Sequence, residues 1–266
     1  MFLFGLITLV VLGFVFGSFL SAITYRIPRG KSFVYGRSKC DSCKREIAWY
    51  DNIPLLSFLF LGGKCRNCSK KISIRYPVIE ISTAILFLTT YLNPRFCDYF
   101  LKQEVFCMYS QSLGIFYLPI FLLIGLILLS IFIIDFETFL IPDSLVYVGF
   151  GLLFATFVLG NDSMIFNKLI GGFLTASLLL SIHIATKGAG MGLGDVKLAV
   201  FIGAILGIKS SLIWLFLGFL TGGFVGIILL LVRKAKLKEE IPFGPFLVFS
   251  FFVTFFFGNH LFDYFF

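Results

Sequence analysis

Two aspartates stand where long apolar segments meet polar stretches of the chain. Asp135 follows the segment LILLSIFII, and Asp195 follows the glycine-rich stretch GMGLG, after which the chain becomes apolar again. Ionisable residues at such positions are costly and mark candidate functional sites. Two carboxylates that share one proton can cleave a peptide bond, because the charged one takes a proton from a water and the neutral one donates to the carbonyl oxygen. Gly192 and Gly194 would let the backbone turn tightly and a substrate strand approach closely.

The same acids also have ordinary structural explanations. Asp195 and Asp143 each stand where a helix could begin, and an aspartate there can cap the helix N-terminus. Asp135 could be a simple interfacial acid. Spacing alone does not separate these explanations from a catalytic pair.

Four of the six cysteines form two C-x2-C pairs, CDSC at 40–43 and CRNC at 65–68, with twenty-one residues between them. Each pair can present two thiolates to one tetrahedral ion. Two disulfides or four free thiols are the alternatives, and a cytoplasmic location disfavours the disulfides. Four cysteine ligands leave no position open to water, so the pattern predicts a structural Zn2+ that folds a small domain. The expected ligands are Cys40, Cys43, Cys65 and Cys68.

The composition predicts an all-α polytopic membrane protein. Of the 266 residues, 59% are hydrophobic and 14% charged, whereas a soluble domain is roughly half apolar and a quarter charged. About eight apolar segments approach the ~17–25 residues of a transmembrane helix, although the sixth is short enough that seven spans are compatible. The expected spans are residues 2–23, 76–92, 116–134, 143–160, 167–186, 196–208, 211–232 and 242–258. The first, which lacks a basic N-terminal region, is expected to be a retained anchor.

Basic residues predict the orientation. With eight spans, the segments 24–77, 187–197 and 233–240 lie on one side and hold twelve, two and four of the 22 Lys and Arg residues. The positive-inside rule places that side in the cytoplasm and both termini outside. The net charge of +8 then reflects topology and anionic lipid headgroups, and no nucleic-acid-binding module is visible. Cys97 and Cys107 fall in an outer loop, where a disulfide and two free thiols are equally compatible.

Five motifs follow one another along nearly the whole chain. They are GSFLSAITYRIP at 17–28, the cysteine-containing segment at 40–80, DFETFLIPD at 135–143, GMGLGDVKL at 190–198 and IPFGPFL at 241–247. By their order and spacing, these motifs together resemble those of the type IV prepilin peptidases, the bifunctional leader peptidases and N-methyltransferases of bacterial inner membranes.

The resemblance implies an aspartyl endopeptidase of the GxGD type with Asp135 and Asp195 as its catalytic pair. It further implies that the enzyme removes the short basic leader of prepilins or pseudopilins at the cytoplasmic face. The new N-terminal residue, commonly Phe, would then be methylated with S-adenosylmethionine. The zinc segment favours this bifunctional bacterial form over peptidase-only members.

Four domains are expected on this basis. They are the first transmembrane helix (1–23), a small cytoplasmic four-cysteine zinc domain between the first and second spans (24–77), the second transmembrane helix with an outer loop (78–115), and a six-helix membrane peptidase core (116–266). The sequence assigns no residue to S-adenosylmethionine and no oligomeric state.

Several polar residues remain open to two interpretations. Glu137 and Asp143 lie in a motif without a basic residue, so they could attract the basic leader, or they could be solvated or capping residues. Glu80 is the one acid within the second span and is either functional or interfacial. His183 and His260 are more typical of a hydrogen-bonded helix residue and an interfacial residue than of catalysis.

Two further classes of function compete with the enzyme. A transporter could use Asp135 and Asp195 as a coupling pair, although both acids map to one membrane edge rather than to its middle. A membrane-anchored zinc adaptor would not depend on the aspartates at all.

Overall fold

The structure, a computed structural model, describes residues 2–32, 38–40, 42–92, 111–160, 164–232 and 241–265. These residues form α-helices, two short 3-10 helices and isolated bridges, and no β-strand occurs among them. The α-helices are α1 (Phe2–Arg26), α2 (Leu56–Phe60), α3 (Arg75–Leu92), α4 (Gln111–Thr138), α5 (Asp143–Gly160), α6 (Ile165–Ala185), α7 (Leu193–Leu231) and α8 (Gly244–Phe265). The prediction of an all-helical chain is therefore confirmed for the described residues.

Among the described residues, four helical segments are long and apolar enough to cross a membrane, as judged by length and composition. They are Phe4–Arg29, Leu118–Thr138, Ile165–Ala185 and Leu193–Leu231, while Asp143–Val158 and Gly244–Gly258 are apolar but shorter. Helix α3 belongs neither to the four candidate spans nor to the two shorter apolar helices, because polar residues such as Arg75 and Glu80 lower its mean hydropathy. Each expected span coincides with a helical segment, but the count of eight spans stays a prediction.

The chain forms two compact units, residues 1–126 and 127–266. In the first unit, α1 packs against α3 through close backbone contact. A Cβ atom on Gly17 would lie 2.6 Å from the Cα atom of Glu80, so only a glycine permits this approach. At the end of the helix pair, the Arg75 side chain donates hydrogen bonds to the Thr24 hydroxyl (2.8 Å) and the Ser21 carbonyl (3.3 Å) of α1.

The second unit depends on a reversal inside α7. The sequence predicts separate spans at 196–208 and 211–232, and the structure shows one helical stretch that is broken at Gly207. Gly207 has φ 74° and ψ 172°, a conformation that is essentially restricted to glycine. The N–H of Ile208, which the break releases, donates to the Asn167 side-chain oxygen at 3.2 Å, so it is not left unsatisfied.

Contacts on the two sides of this break show that the two halves of α7 run in opposite directions. Before it, a Cβ on Gly194 would lie 3.1 Å from Ile141, and Ile141 also lies against Gly244. After it, a Cβ on Gly222 would lie 3.4 Å from Phe243. A straight helix would separate positions 194 and 222 by about 42 Å. The chain must therefore turn back at Gly207, which returns it to the level of Asp195.

Candidate active site and metal centre

Asp135 lies buried in the last turn of α4. Its relative exposure is 5%, and its Oδ2 atom accepts no hydrogen bond of good geometry from the described residues, although the Gly244 N–H lies near the carboxyl group. The N–H of Phe139 donates to the Asp135 carbonyl at 2.9 Å, and Phe139 has a positive φ of 58°, a conformation typical of the end of a helix. The helix therefore stops one turn beyond the aspartate and leaves its carboxyl group at the helix end.

Asp195 lies in the first turn of α7 and is also buried, with 9% exposure. Its Oδ2 atom accepts the N–H of Gly192 at 3.2 Å, so the aspartate caps the helix as well as standing in the candidate site. The two carboxyl groups are close enough to interact electrostatically. The structure thus brings together two acids that are sixty residues apart in the sequence.

Gly244, the first residue of α8, forms one wall of the site. A Cβ atom there would lie 2.5 Å from Asp135 Oδ2 and 3.3 Å from the Ile141 side chain. Ile141 in turn packs against Gly194, with 3.1 Å to a Cβ built on that glycine. Two glycines and one isoleucine therefore surround the acids closely, and any larger residue at 244 would move the Asp135 carboxyl group.

The other acids of the DFETFLIPD motif are exposed rather than buried. Glu137 lies two residues after Asp135 on the surface of α4. Asp143 begins α5 and pairs with Lys197, whose Nζ lies 2.7 Å from Asp143 Oδ1. This ion pair connects the two aspartate-containing motifs, and sequence analysis missed it because nothing in the local pattern pairs residues 143 and 197.

His183 has a structural environment. Its Nδ1 atom lies 2.6 Å from the carbonyl oxygen of Met191 and fixes the glycine-rich turn between α6 and α7. The hydrogen-bonded helix histidine favoured by the sequence is thereby confirmed, whereas the side chain of His260, like Cys97 and Cys107, lies outside the described residues.

The four cysteines form the second candidate site. Their sulfur atoms all lie within 4.8 Å of one another, and Cys40 Sγ is 3.8 Å from Cys68 Sγ. A tetrahedral ion with metal–sulfur bonds of about 2.3 Å requires sulfurs about 3.8 Å apart. The cluster therefore has the size and the ligand chemistry of a four-thiolate metal site.

The two cysteine pairs have the same local structure. The N–H of Cys40 donates to the Arg45 carbonyl at 2.9 Å, and the N–H of Cys65 donates to the Lys70 carbonyl at 2.9 Å. Lys44 and Ser69 occupy equivalent positions and both have positive φ, 59° and 54°. The signal was present in the sequence, since CDSCKREI and CRNCSKKI share the spacing of their cysteines and their final isoleucine.

Neighbouring groups perturb the thiols in opposite directions. The backbone N–H groups of Cys43 and Ser42 lower the pKa of Cys40 to about 6. At Cys68 the N–H of Lys70 lowers the pKa, but burial and the neighbouring thiols raise it more, to about 11. Four thiols this close do not all ionise without a cation, and a bound metal ion would remove that restriction.

Comparisons with known proteins match separately the segment with the four cysteines and the segment with the two aspartates. Residues 11–93 match the bacterial peptidase A24 N-terminal domain, and residues 121–227 match the type IV leader peptidase family. Proteins named prepilin leader peptidase/N-methyltransferase are among the similar relatives. The one from Vibrio cholerae is 32% identical over 94% of this chain and 96% of its own length.

Two other relatives with that name extend the similarity to different bacteria. The Aeromonas hydrophila protein is 34% identical over 85% of this chain and 73% of its own length. The Bacillus subtilis protein is 30% identical over 89% of this chain and 88% of its own length. No solved structure matches the chain. The chain belongs to the type IV leader peptidase family and is an enzyme of that family.

Replacing one cysteine should release the metal ion. We expect the purified protein to carry about one zinc ion per chain and Cys68→Ser to carry almost none, because three remaining thiolates bind the ion much more weakly than four. Inductively coupled plasma mass spectrometry measures the ratio. The double variant Cys97→Ser, Cys107→Ser is the matched control and should keep its metal. Full zinc occupancy in folded Cys68→Ser would contradict the assignment.

Proposed function

We propose that the protein is an aspartyl endopeptidase of the bacterial inner membrane that also acts as an N-methyltransferase. It removes the short basic leader from type IV prepilins or pseudopilins at the cytoplasmic membrane face. It then methylates the new N-terminal residue with S-adenosylmethionine. The relatives' names support the substrate and both reactions.

One observation carries the peptidase assignment. Asp135 and Asp195 come from the two motifs of the resemblance, both are buried, and Asp135 Oδ2 lacks a hydrogen bond partner among the described residues. An unpartnered carboxylate oxygen inside a protein is rare and indicates a group kept for a ligand. A water molecule bound between the two acids would be that ligand.

The pair would act as one acid–base unit. Two close carboxylates cannot both be charged at low cost, so they share a proton. The charged member takes a proton from the water, the water oxygen attacks the scissile carbonyl, and the neutral member protonates the carbonyl oxygen. The bare backbone at Gly192 and Gly194 would let the substrate strand lie beside the carboxyl groups.

We place the active site and the four-cysteine segment on the cytoplasmic side of an eight-span protein whose termini both face outward. The positive-inside rule supports this orientation. The turn at Gly207 supports counting the halves of α7 as separate spans. The domain division is that of the sequence analysis, with the zinc domain at 24–77 and the peptidase core at 116–266.

The metal in this proposal is Zn2+ in a structural role. All four ligand positions are thiolates, so no position is open for a reacting water, and the ion would serve to hold the two cysteine pairs together. A segment this small has little apolar core of its own and would depend on the ion to fold.

A cavity of about 620 Å3 in the first unit fits a methyl donor such as S-adenosylmethionine. It lies within the about 300–1,000 Å3 range of small-molecule sites. Tyr25, Phe58 and Tyr76 supply aromatic surface, and Lys44 and Lys70 are among the bases that could hold a carboxylate. The cosubstrate would supply the methyl group, and these residues would bind and orient it.

Glu137 and Asp143 complete the proposal as residues that hold the basic leader. Both are exposed near Asp135 in the sequence, where a cationic peptide could reach them. Asp143 already pairs with Lys197. A basic side chain of the leader would therefore share the Asp143 carboxylate with Lys197 or displace Lys197 from it.

Replacing either catalytic aspartate should abolish cleavage. Intact-mass spectrometry of a prepilin incubated with the protein in detergent should show loss of the leader mass, and Asp135→Asn or Asp195→Asn should reduce the rate at least about 1,000-fold. Asp162→Asn, in the segment between α5 and α6, is the matched control. Both aspartate variants should still methylate a prepilin that has been trimmed beforehand. Cleavage by Asp195→Asn at the wild-type rate would refute the catalytic pair.

A side chain at position 244 should displace Asp135. We expect Gly244→Ala to slow prepilin cleavage about 100-fold, because a shift of roughly 1 Å in a catalytic group has that effect. Gly223→Ala in α7 is the matched control, since a Cβ there meets no atom within 4 Å. Thermal stability and leader cleavage are measured for both, and a fully active Gly244→Ala enzyme would argue against the site.

Neutralising the leader-binding acids should weaken substrate binding without changing chemistry. The double variant Glu137→Gln, Asp143→Asn should raise KM for prepilin several-fold at low salt and leave kcat nearly unchanged. The effect should be largest at low salt, because dissolved salt screens the attraction between these exposed acids and the basic leader. Initial rates at low and high salt measure the effect. An unchanged KM at low salt would remove these residues from the proposal.

A further inference from the structure

Glu80 is a buried carboxylate for which the peptidase reaction has no use. It lies in the second turn of α3, has a relative exposure of 7%, and lines the cavity of the first unit. Its Oε2 atom accepts the N–H of Leu55 at 2.8 Å, and Ser18 of α1 lies beside it. Within the described part of the chain, no Lys or Arg makes an ion pair with it.

A buried carboxylate without a cation is costly and requires an explanation. Eight basic side chains line this cavity, Arg26, Lys44 and Lys70 among them. The other acids of the cavity are Asp51, which accepts three hydrogen bonds from Arg66, and Glu46, which is exposed. Glu80 is therefore the buried acid of the cavity to which no protein cation is paired.

The position of Glu80 indicates which cation it would hold. Glu80 and other residues of α1 and α3, the two helices that the sequence predicts as membrane spans, line the cavity, and residues 39–71, which contain the four cysteines, supply six of its eight basic side chains. A cosubstrate that carries its own carboxylate matches those basic side chains. The new N-terminus of the trimmed substrate, an ammonium on an apolar residue, matches the Glu80 carboxylate on its apolar helix.

We propose that Glu80 binds the α-ammonium group of the trimmed prepilin and accepts its proton during methyl transfer. This inference rests on the proposed function. The ammonium gives one proton to the Glu80 carboxylate, its nitrogen forms a bond to the methyl carbon, and the carbon–sulfur bond breaks with its electron pair passing to sulfur. The sulfonium becomes a neutral thioether, the methylated nitrogen takes over the positive charge as a secondary ammonium, and Glu80 passes its proton to solvent, so that one proton is released overall.

The hydrogen bond from Leu55 gives the carboxylate a fixed position. Leu55 has a positive φ of 56°, unusual for leucine, and its N–H points to Glu80 as the chain enters α2. One oxygen is thus held by the backbone of the cysteine-containing segment. The other titratable groups of α1 and α3 that line the cavity are Tyr25, Arg26 and Tyr76.

Glu80→Gln tests the proposal because glutamine keeps the shape and can still accept the Leu55 N–H. The substrate is a prepilin trimmed beforehand, so that cleavage is not required. We expect methylation by the full-length variant to fall at least about 100-fold, the size of a general-base contribution. Its remaining rate should rise with pH up to the pKa of the free amine, about 8, since the substrate must then lose its proton to solvent.

Three measurements separate this role from a structural one. Calorimetry should give an unchanged Kd for S-adenosylmethionine, and prepilin cleavage and zinc content should equal those of the wild type. Asp162→Asn, an acid that is not among the residues lining this cavity, is the matched control for loss of one charge. Glu80→Asp should methylate more slowly than wild type but with the wild-type pH profile.

The outcomes are distinct. Wild-type methylation by Glu80→Gln overturns the inference, a weaker Kd for S-adenosylmethionine assigns Glu80 to the cosubstrate instead, and loss of zinc or cleavage makes it a purely structural residue. A wild-type protein that neither cleaves nor methylates would refute the proposed function itself.

Discussion

The burial of two acids side by side is the constraint that determines the architecture of the second unit. An apolar helical unit offers little to compensate a buried charge, and the effective cost per ion is several kcal/mol. Here the cost is reduced at Asp195, which stands in the first turn of a helix where Gly192 donates an N–H, whereas Asp135, at the end of another helix, gains nothing from the helix dipole. The remaining features of the unit serve to hold these two helix ends together.

The turn at Gly207 is the most important of those features. It sends the second half of α7 back toward the acids, where it supports the start of α8 and therefore Gly244. The first half of α7 is in turn aligned against α6, where Gly171 and Gly203 allow backbone contact and the Thr175 hydroxyl donates to the Ala199 carbonyl at 3.2 Å. The position of Asp195 is thus set by contacts that are up to three turns away from it.

Much of this architecture can be predicted from the sequence, because local sequence patterns indicate it. Apolar runs predict the helices, the spacing of four cysteines predicts their cluster, and the two aspartate motifs predict the acids that the structure brings together. What the sequence does not disclose are contacts between distant positions. No local sequence pattern predicts three such contacts, because each depends on how separate elements pack together. They are Gly244 with Asp135, Lys197 with Asp143, and Leu55 with Glu80.

The bond between Leu55 and Glu80 also links the cysteine-containing segment to the helix pair beneath it. If the segment unfolds, the Glu80 carboxylate loses this donor. Anything that favours the folded segment therefore favours the intact helix pair by mass action. If the four cysteines hold the proposed ion, each tenfold rise in free metal above its dissociation constant would add about 1.4 kcal/mol to the stability of the folded segment. The cell's supply of available zinc would in this way influence how long the α1–α3 helix pair survives.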